Sequence, residues 1–187
     1  MSYAAYLVAG FESSGNRLLA SILVRSGCAG EASTNQPSLD RLPPPERPLV
    51  VIAHEAPAAD RVAVPHGQAV ARWTAALKSH GYDPIRVLAI VREPIANIRS
   101  AIARGHWPQE LCEAAYARRT YDLAKNLSDS LAAGIVPEVL TYEGLTEHYL
   151  AAWLPRIGLP YFPGAIVLPG QIAPPQIESQ NEKWYPR

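Results

Sequence analysis

Four short segments of this chain carry residues whose types and spacing suit anion binding and proton transfer. The first is Gly10-Phe11-Glu12-Ser13-Ser14-Gly15-Asn16-Arg17. Glycines let a backbone turn tightly and approach a ligand closely. A helix that starts near Ser14 or Gly15 would offer its first N–H groups and the positive end of its dipole, which suit a phosphate or sulfate. Ser13, Ser14 and Asn16 add side-chain donors, Arg17 adds a fixed positive charge, and Gly15 and Leu18 complete the phosphate-binding set. The glycine spacing is that of a P-loop, but nucleotide hydrolysis there needs a Lys and then a Ser or Thr for magnesium. Asn16 and Arg17 occupy those places, so the loop suits a phosphate-bearing ligand that needs no metal.

The second segment is Val91-Arg92-Glu93-Pro94, with Ser100 eight residues after Arg92. An Arg at a strand end and a Ser two turns into the next helix can grip one phosphate from two sides. The third is Ile52-Ala53-His54-Glu55, where His54 is of the residue type whose ordinary pKa lies near neutrality and that suits a general base. Glu55 and Glu12 are alternative bases. The fourth is Thr141-Tyr142-Glu143-Gly144-Leu145. Other conspicuous residues have blander readings. Trp107, after His106, either lines an acceptor pocket or packs. Arg118 and Arg119 point about 100° apart on a helix and read as a solvated or salt-bridged face. Trp73 and Trp153 lie on apolar helix faces and read as core.

These segments need elements that bring them together. Apolar runs at Tyr6–Ala9, Leu49–Ala53, Ile85–Val91 and Val136–Thr141 predict strands. Apolar spacing predicts helices from Ser14 or Gly15 to Gly27, Gly67 to His80, Pro94 to Arg104, Pro108 to Ala133 and Gly144 to Arg156. Gly81 and Gly134 close two of them. Residues 28–48 read as a long proline-rich loop, and an irregular proline-rich tail begins at about 160. Buried strands alternating with helices imply an α/β three-layer sandwich, a mostly parallel sheet of four or five strands with helices on both faces. Ligands bind such sheets at the carboxyl ends of the strands. Gly10, His54, Arg92 and Tyr142 all fall there.

Composition sets the outer limits. In 187 residues, Lys plus Arg and Asp plus Glu each number 17, so net charge is zero. That argues against nucleic acid or a membrane surface as partner. Apolar residues at 48% and charged ones at 18% describe a globular chain, read as one domain over 1–187. Cys28 and Cys112 form neither a disulfide framework nor a zinc pattern and read as reduced, buried thiols. With no signal peptide and no membrane-length apolar run, a soluble cytoplasmic protein is expected.

In this order the motifs resemble those of the PAPS-dependent sulfotransferases (PAPS is 3′-phosphoadenosine 5′-phosphosulfate), over roughly residues 6 to 160. Val87–Pro94 with Ser100 is similar to the family's strand, Arg-Asp-Pro and Ser signature, with Glu93 as the acid. Ile52–Pro57 resembles its strand-end Thr-His-x-Pro, and Thr141–Leu145 its Tyr-Glu-Asp-Leu. The resemblance implies a P-loop-type fold and PAPS as donor. It implies that the glycine loop holds the phosphosulfate, that Arg92 and Ser100 hold the 3′-phosphate, and that Tyr142 lies near the nucleotide. It also implies His54 as catalytic base, with Arg17 and Ser13 at the reacting group. The acceptor would be a hydroxyl or amine of a small molecule or glycan, and the product 3′,5′-bisphosphoadenosine. The chain departs from the pattern where Ser13 replaces a Lys or Arg, leaving Arg17 as the nearby cation. It also lacks the late Arg-Lys-Gly segment, for which Lys183 is the nearest cation. The alternatives are a small-molecule or nucleotide kinase with an altered loop, and a nucleotide-binding relative without catalysis. Oligomeric state is open.

Overall fold

The computed structural model describes residues 2–10, 14–30, 42–53, 69–103 and 112–164. Its strands are β1 (Ala5–Val8), β2 (Leu49–Ile52), β3 (Ile85–Val91) and β4 (Glu138–Thr141). Its helices are α1 (Asn16–Arg25), α2 (Ala69–Ser79), α3 (Pro94–Ala103), α4 (Cys112–Ala132) and α5 (Glu147–Arg156). A single 3₁₀ turn, Tyr142–Gly144, joins β4 to α5.

The strands form one four-stranded sheet in the order β2-β1-β3-β4, parallel throughout. The two central strands and β2 are buried on both faces, so their sequences are apolar runs and do not alternate. The chain steps from β1 to β2 in one direction and from β2 to β3 in the other. Crossovers of one hand then place their helices on opposite faces. The core follows that division. Tyr6, Val8, Val50, Ile52, Leu88, Ile90 and Leu140 pack with α1 and α5, while Ala5, Leu7, Ala9, Val51 and Val87 pack with α2. Helix α4 packs on α2.

Trp73 and Trp153 are both core, as their helical positions predict. The Trp153 indole N–H donates to Glu138 Oε1 at 2.7 Å, which satisfies its polar end. Cys28 is buried and unpaired with another cysteine. The structure corrects several boundaries. The helix predicted from Gly144 begins at Glu147, because Gly144 belongs to the 3₁₀ turn and Thr146 caps the helix by accepting from the Tyr149 N–H. The strand predicted from Val136 begins at Glu138, where its pairing with Leu88 starts. Strand β4 is buried only at Leu140, with Val139 exposed on the far face. Among the described residues no helix is long and apolar enough to cross a membrane.

Candidate functional site at the strand ends

In a doubly wound sheet the natural crevice lies where the strand order reverses direction. Here that point is between β1 and β3, neighbours in the sheet. From their carboxyl ends come the glycine segment and Arg92, and from the end of β4 comes Tyr142. These three are brought together. His54, Ser13, Glu12 and Glu55 lie outside the described residues, as do Trp107, His106 and Lys183. Arg118 and Arg119 belong to α4, but their side chains, like that of Cys112, lie outside the described set.

Close approach explains the two glycines of the first segment. A Cβ at Gly10 would collide with the Ile90 carbonyl oxygen and with Asn16 Oδ1. Gly15 has φ +105°, a left-handed backbone that side chains disfavour, and a Cβ there would meet Tyr142 Cδ2 at 2.6 Å. Gly15 is also the N-cap of α1 and brings no side chain to that role. The first internal bond of α1 runs from the Leu19 N–H to the Gly15 oxygen at 2.9 Å. The N–H groups of Asn16, Arg17 and Leu18 precede that bond and point from the helix end toward the crevice. No acidic residue lies in this first turn.

Two side chains expected to face a ligand are turned inward. Asn16 is buried, and its Nδ2 donates to the Gly10 oxygen at 2.9 Å, closing the segment on itself. Ser14 is fully buried, and its hydroxyl accepts from Asn97 Nδ2 at 3.0 Å. Their described bonds shape the loop from within. Arg17, in the first turn of α1, is half-buried.

The start of α3 is built differently. Glu93 precedes the helix and accepts from the N–H of Ile95 at 3.0 Å and of Ala96 at 2.7 Å. These bonds, that to Ala96 first, hold its carboxyl below the usual range, with Arg99 and Arg92 adding attraction. The N-terminus of α3 already holds a carboxylate, whereas the first turn of α1 contains no acidic residue and its cap, Gly15, has no side chain. Glu143 accepts from the Glu93 N–H at 3.1 Å, tying the 3₁₀ turn to the β3–α3 junction. The acid in Arg92-Glu93-Pro94 thus has a local physical explanation as a helix cap.

Arg92 lies with its guanidinium carbon 4.5 Å from the centroid of the Tyr142 ring. The same ring abuts Gly15. Tyr142 therefore stands between the loop and Arg92, and cation–π attraction holds the guanidinium beside the end of α1. Ser100 is half-buried on α3, on the same face as Asn97 and one turn further along. Sequence reasoning missed Asn97. Its signal is faint: a polar residue in an otherwise apolar stretch of α3, where burial requires a partner. A cavity of about 390 Å³ lies at the opposite, amino end of the sheet, lined in part by Lys78, Asp83, Arg86 and Glu138.

Comparisons with protein-family models, curated proteins and solved structures found no match. The functional reading therefore rests on this site and on the motif order.

Proposed function

We propose that this protein is a metal-independent sulfotransferase of the P-loop-type fold, which moves the sulfuryl group of PAPS to a hydroxyl or amine. One observation carries the reading. The start of α1 has a side-chain-free glycine cap and no acid in its first turn, and Arg92 is held beside it across Tyr142. This juxtaposition suits a ligand with two separated anionic groups.

Close backbone approach, which a phosphate ligand needs, is built in at Gly10 and Gly15, where a Cβ would meet Ile90, Asn16 or Tyr142. The N–H groups of Asn16, Arg17 and Leu18 would bind the 5′-phosphosulfate, with Arg17 adding a positive charge. Arg92, with Ser100 one helical turn from Asn97, would hold the 3′-phosphate. Tyr142 fixes Arg92 and would border the nucleotide. The donor supplies an activated sulfuryl group. His54 takes the acceptor proton as the acceptor oxygen or nitrogen bonds to sulfur and the bond from sulfur to the phosphate oxygen breaks. The electron pair of that bond would leave with bisphosphoadenosine, and Arg17 and the loop N–H groups would stabilise the new charge. Ser13 supplies a hydroxyl where a cation is usual in the resembled family, so Arg17 carries the charge.

The deciding experiment is a thermal-shift comparison of bisphosphoadenosine with ATP and ADP, each with and without magnesium. Stabilisation by bisphosphoadenosine without metal is expected. A response only to ATP with magnesium would replace the reading with a kinase. Labelled-sulfate transfer should then be abolished by His54→Ala while bisphosphoadenosine still binds. Undiminished turnover in that variant removes His54 from the mechanism.

A further inference from the structure

We infer that Asn97 is a positioning residue for the anion-binding loop, acting through Ser14 from a different element. This rests on the proposed role of the loop, but not on the identity of its ligand. Asn97 and Ser14 are 83 residues apart in sequence and both fully buried. Their hydrogen bond joins the first half of α3 to the residue immediately before the left-handed Gly15. A buried amide that loses its partner costs more than an exposed one, so this contact has one strongly preferred arrangement.

The bond also sets polarity. An amide NH₂ group can only donate, so the Ser14 oxygen accepts and its proton is directed away from Asn97 Nδ2. The contact thereby fixes where Ser14 sits and how its hydroxyl is turned. Ser14 fixes the entry to Gly15, and Gly15 fixes the direction of the first N–H groups of α1. Helix α3 also follows directly from Arg92, through the Glu93 cap. One helix therefore holds both anion-binding arms: Arg92 at its entrance, and the loop through Asn97. An anion spanning the two arms depends on their spacing, and Asn97 maintains that spacing without touching the anion.

The test compares the full-length protein with Asn97→Ala, Ser14→Ala and the double variant. Hydrogen exchange at the Leu19 amide, which donates to the Gly15 oxygen at 2.9 Å, needs no ligand. It should rise about tenfold in each single variant while the amides of β1 and β3 keep their protection. Affinity for bisphosphoadenosine, by calorimetry, should fall about tenfold in each, and the double variant should fall no further than the weaker single. Unchanged exchange at Leu19 overturns the assignment. So does an additive loss of affinity, or a loss of protection spread equally over β1 and β3, which marks a general packing role. If Asn97→Ala fails to fold, Ser14→Ala, which removes one oxygen, decides the exchange comparison. If the unaltered protein binds no bisphosphoadenosine, the nucleotide reading fails while the exchange measurement still decides the role of Asn97.

Discussion

Tyr142 touches both arms of the site. Its ring edge lies against Gly15, and the Arg92 guanidinium stacks on its face. Both contacts come from the ring and not from the hydroxyl. Tyr142→Phe should therefore leave bisphosphoadenosine affinity within about twofold, since phenyl and phenol faces attract a cation similarly. Tyr142→Leu should lower it about tenfold, for a cation–π contact of roughly 1 kcal/mol plus a loosened loop. Calorimetry checks this. Equal losses in the two variants would mean that the hydroxyl, and not the ring, matters. The residue types at this site were largely legible in the sequence, where Gly10, Gly15, Arg92 and Tyr142 stood out at strand ends. The roles of Ser14 and Asn16 were not. A serine in a glycine loop reads as a ligand donor, and only its burial against Asn97 turns it into a brace.

Helices α1 and α3 show how two similar-looking starts come to differ. Each follows a strand end, yet α3 begins with a carboxylate bonded to its own N–H groups, whereas α1 begins at a glycine cap with no acid in its first turn. The depressed Glu93 pKa carries a sign. Its ionised form is favoured in the fold, so its contribution is present above the unfolded carboxyl pKa and is lost as pH falls through the lower folded value. Glu93→Gln should reduce the acid-side slope of thermal stability in that range and leave neutral-to-basic pH behaviour unchanged. Melting curves across acidic pH measure this, and an unaltered slope would show that the cap adds nothing. Element positions were mostly legible because burial leaves a period in the sequence. The start of α5 was not, because the apolar pattern runs through the 3₁₀ turn and only the Thr146 cap marks the boundary.

At the scale of the whole molecule, the sheet separates two cores, one beneath α1 and α5 and one beneath α2. Tyr6 and Cys28 belong to the first. Burial pushes the Cys28 thiol from 9.0 up to about 12, and Tyr6 from 10.0 up to about 12. Both are neutral in the fold, and the Tyr6 hydroxyl donates to the Ile157 oxygen at 2.6 Å. A raised folded pKa gives stability that is complete below the unfolded value and lost as pH rises toward the folded one. Alkaline destabilisation should therefore begin near pH 9 and steepen above 10. Cys28→Ala should flatten its first part while costing about 1 kcal/mol at neutral pH from lost packing. Denaturant titrations from pH 7 to 11 test this, and an unchanged alkaline slope would exclude Cys28 as a contributor.

The sequence by itself determined the alternation of elements, the apolar strands and the residue types at their carboxyl ends, because each depends on neighbours within a few positions. It carried the α/β class and showed Asn16 and Arg17 where a magnesium-nucleotide loop has a Lys and a Ser or Thr. Only the tertiary structure decided the order β2-β1-β3-β4, and with it which strand ends share a crevice. It also decided that Ser14 faces Asn97, that Tyr142 stands between Gly15 and Arg92, and that Glu93 closes the α3 terminus. Local periodicity encodes which side of an element is buried. It does not encode which distant residue fills the space opposite, and at this site those distant partners set the geometry.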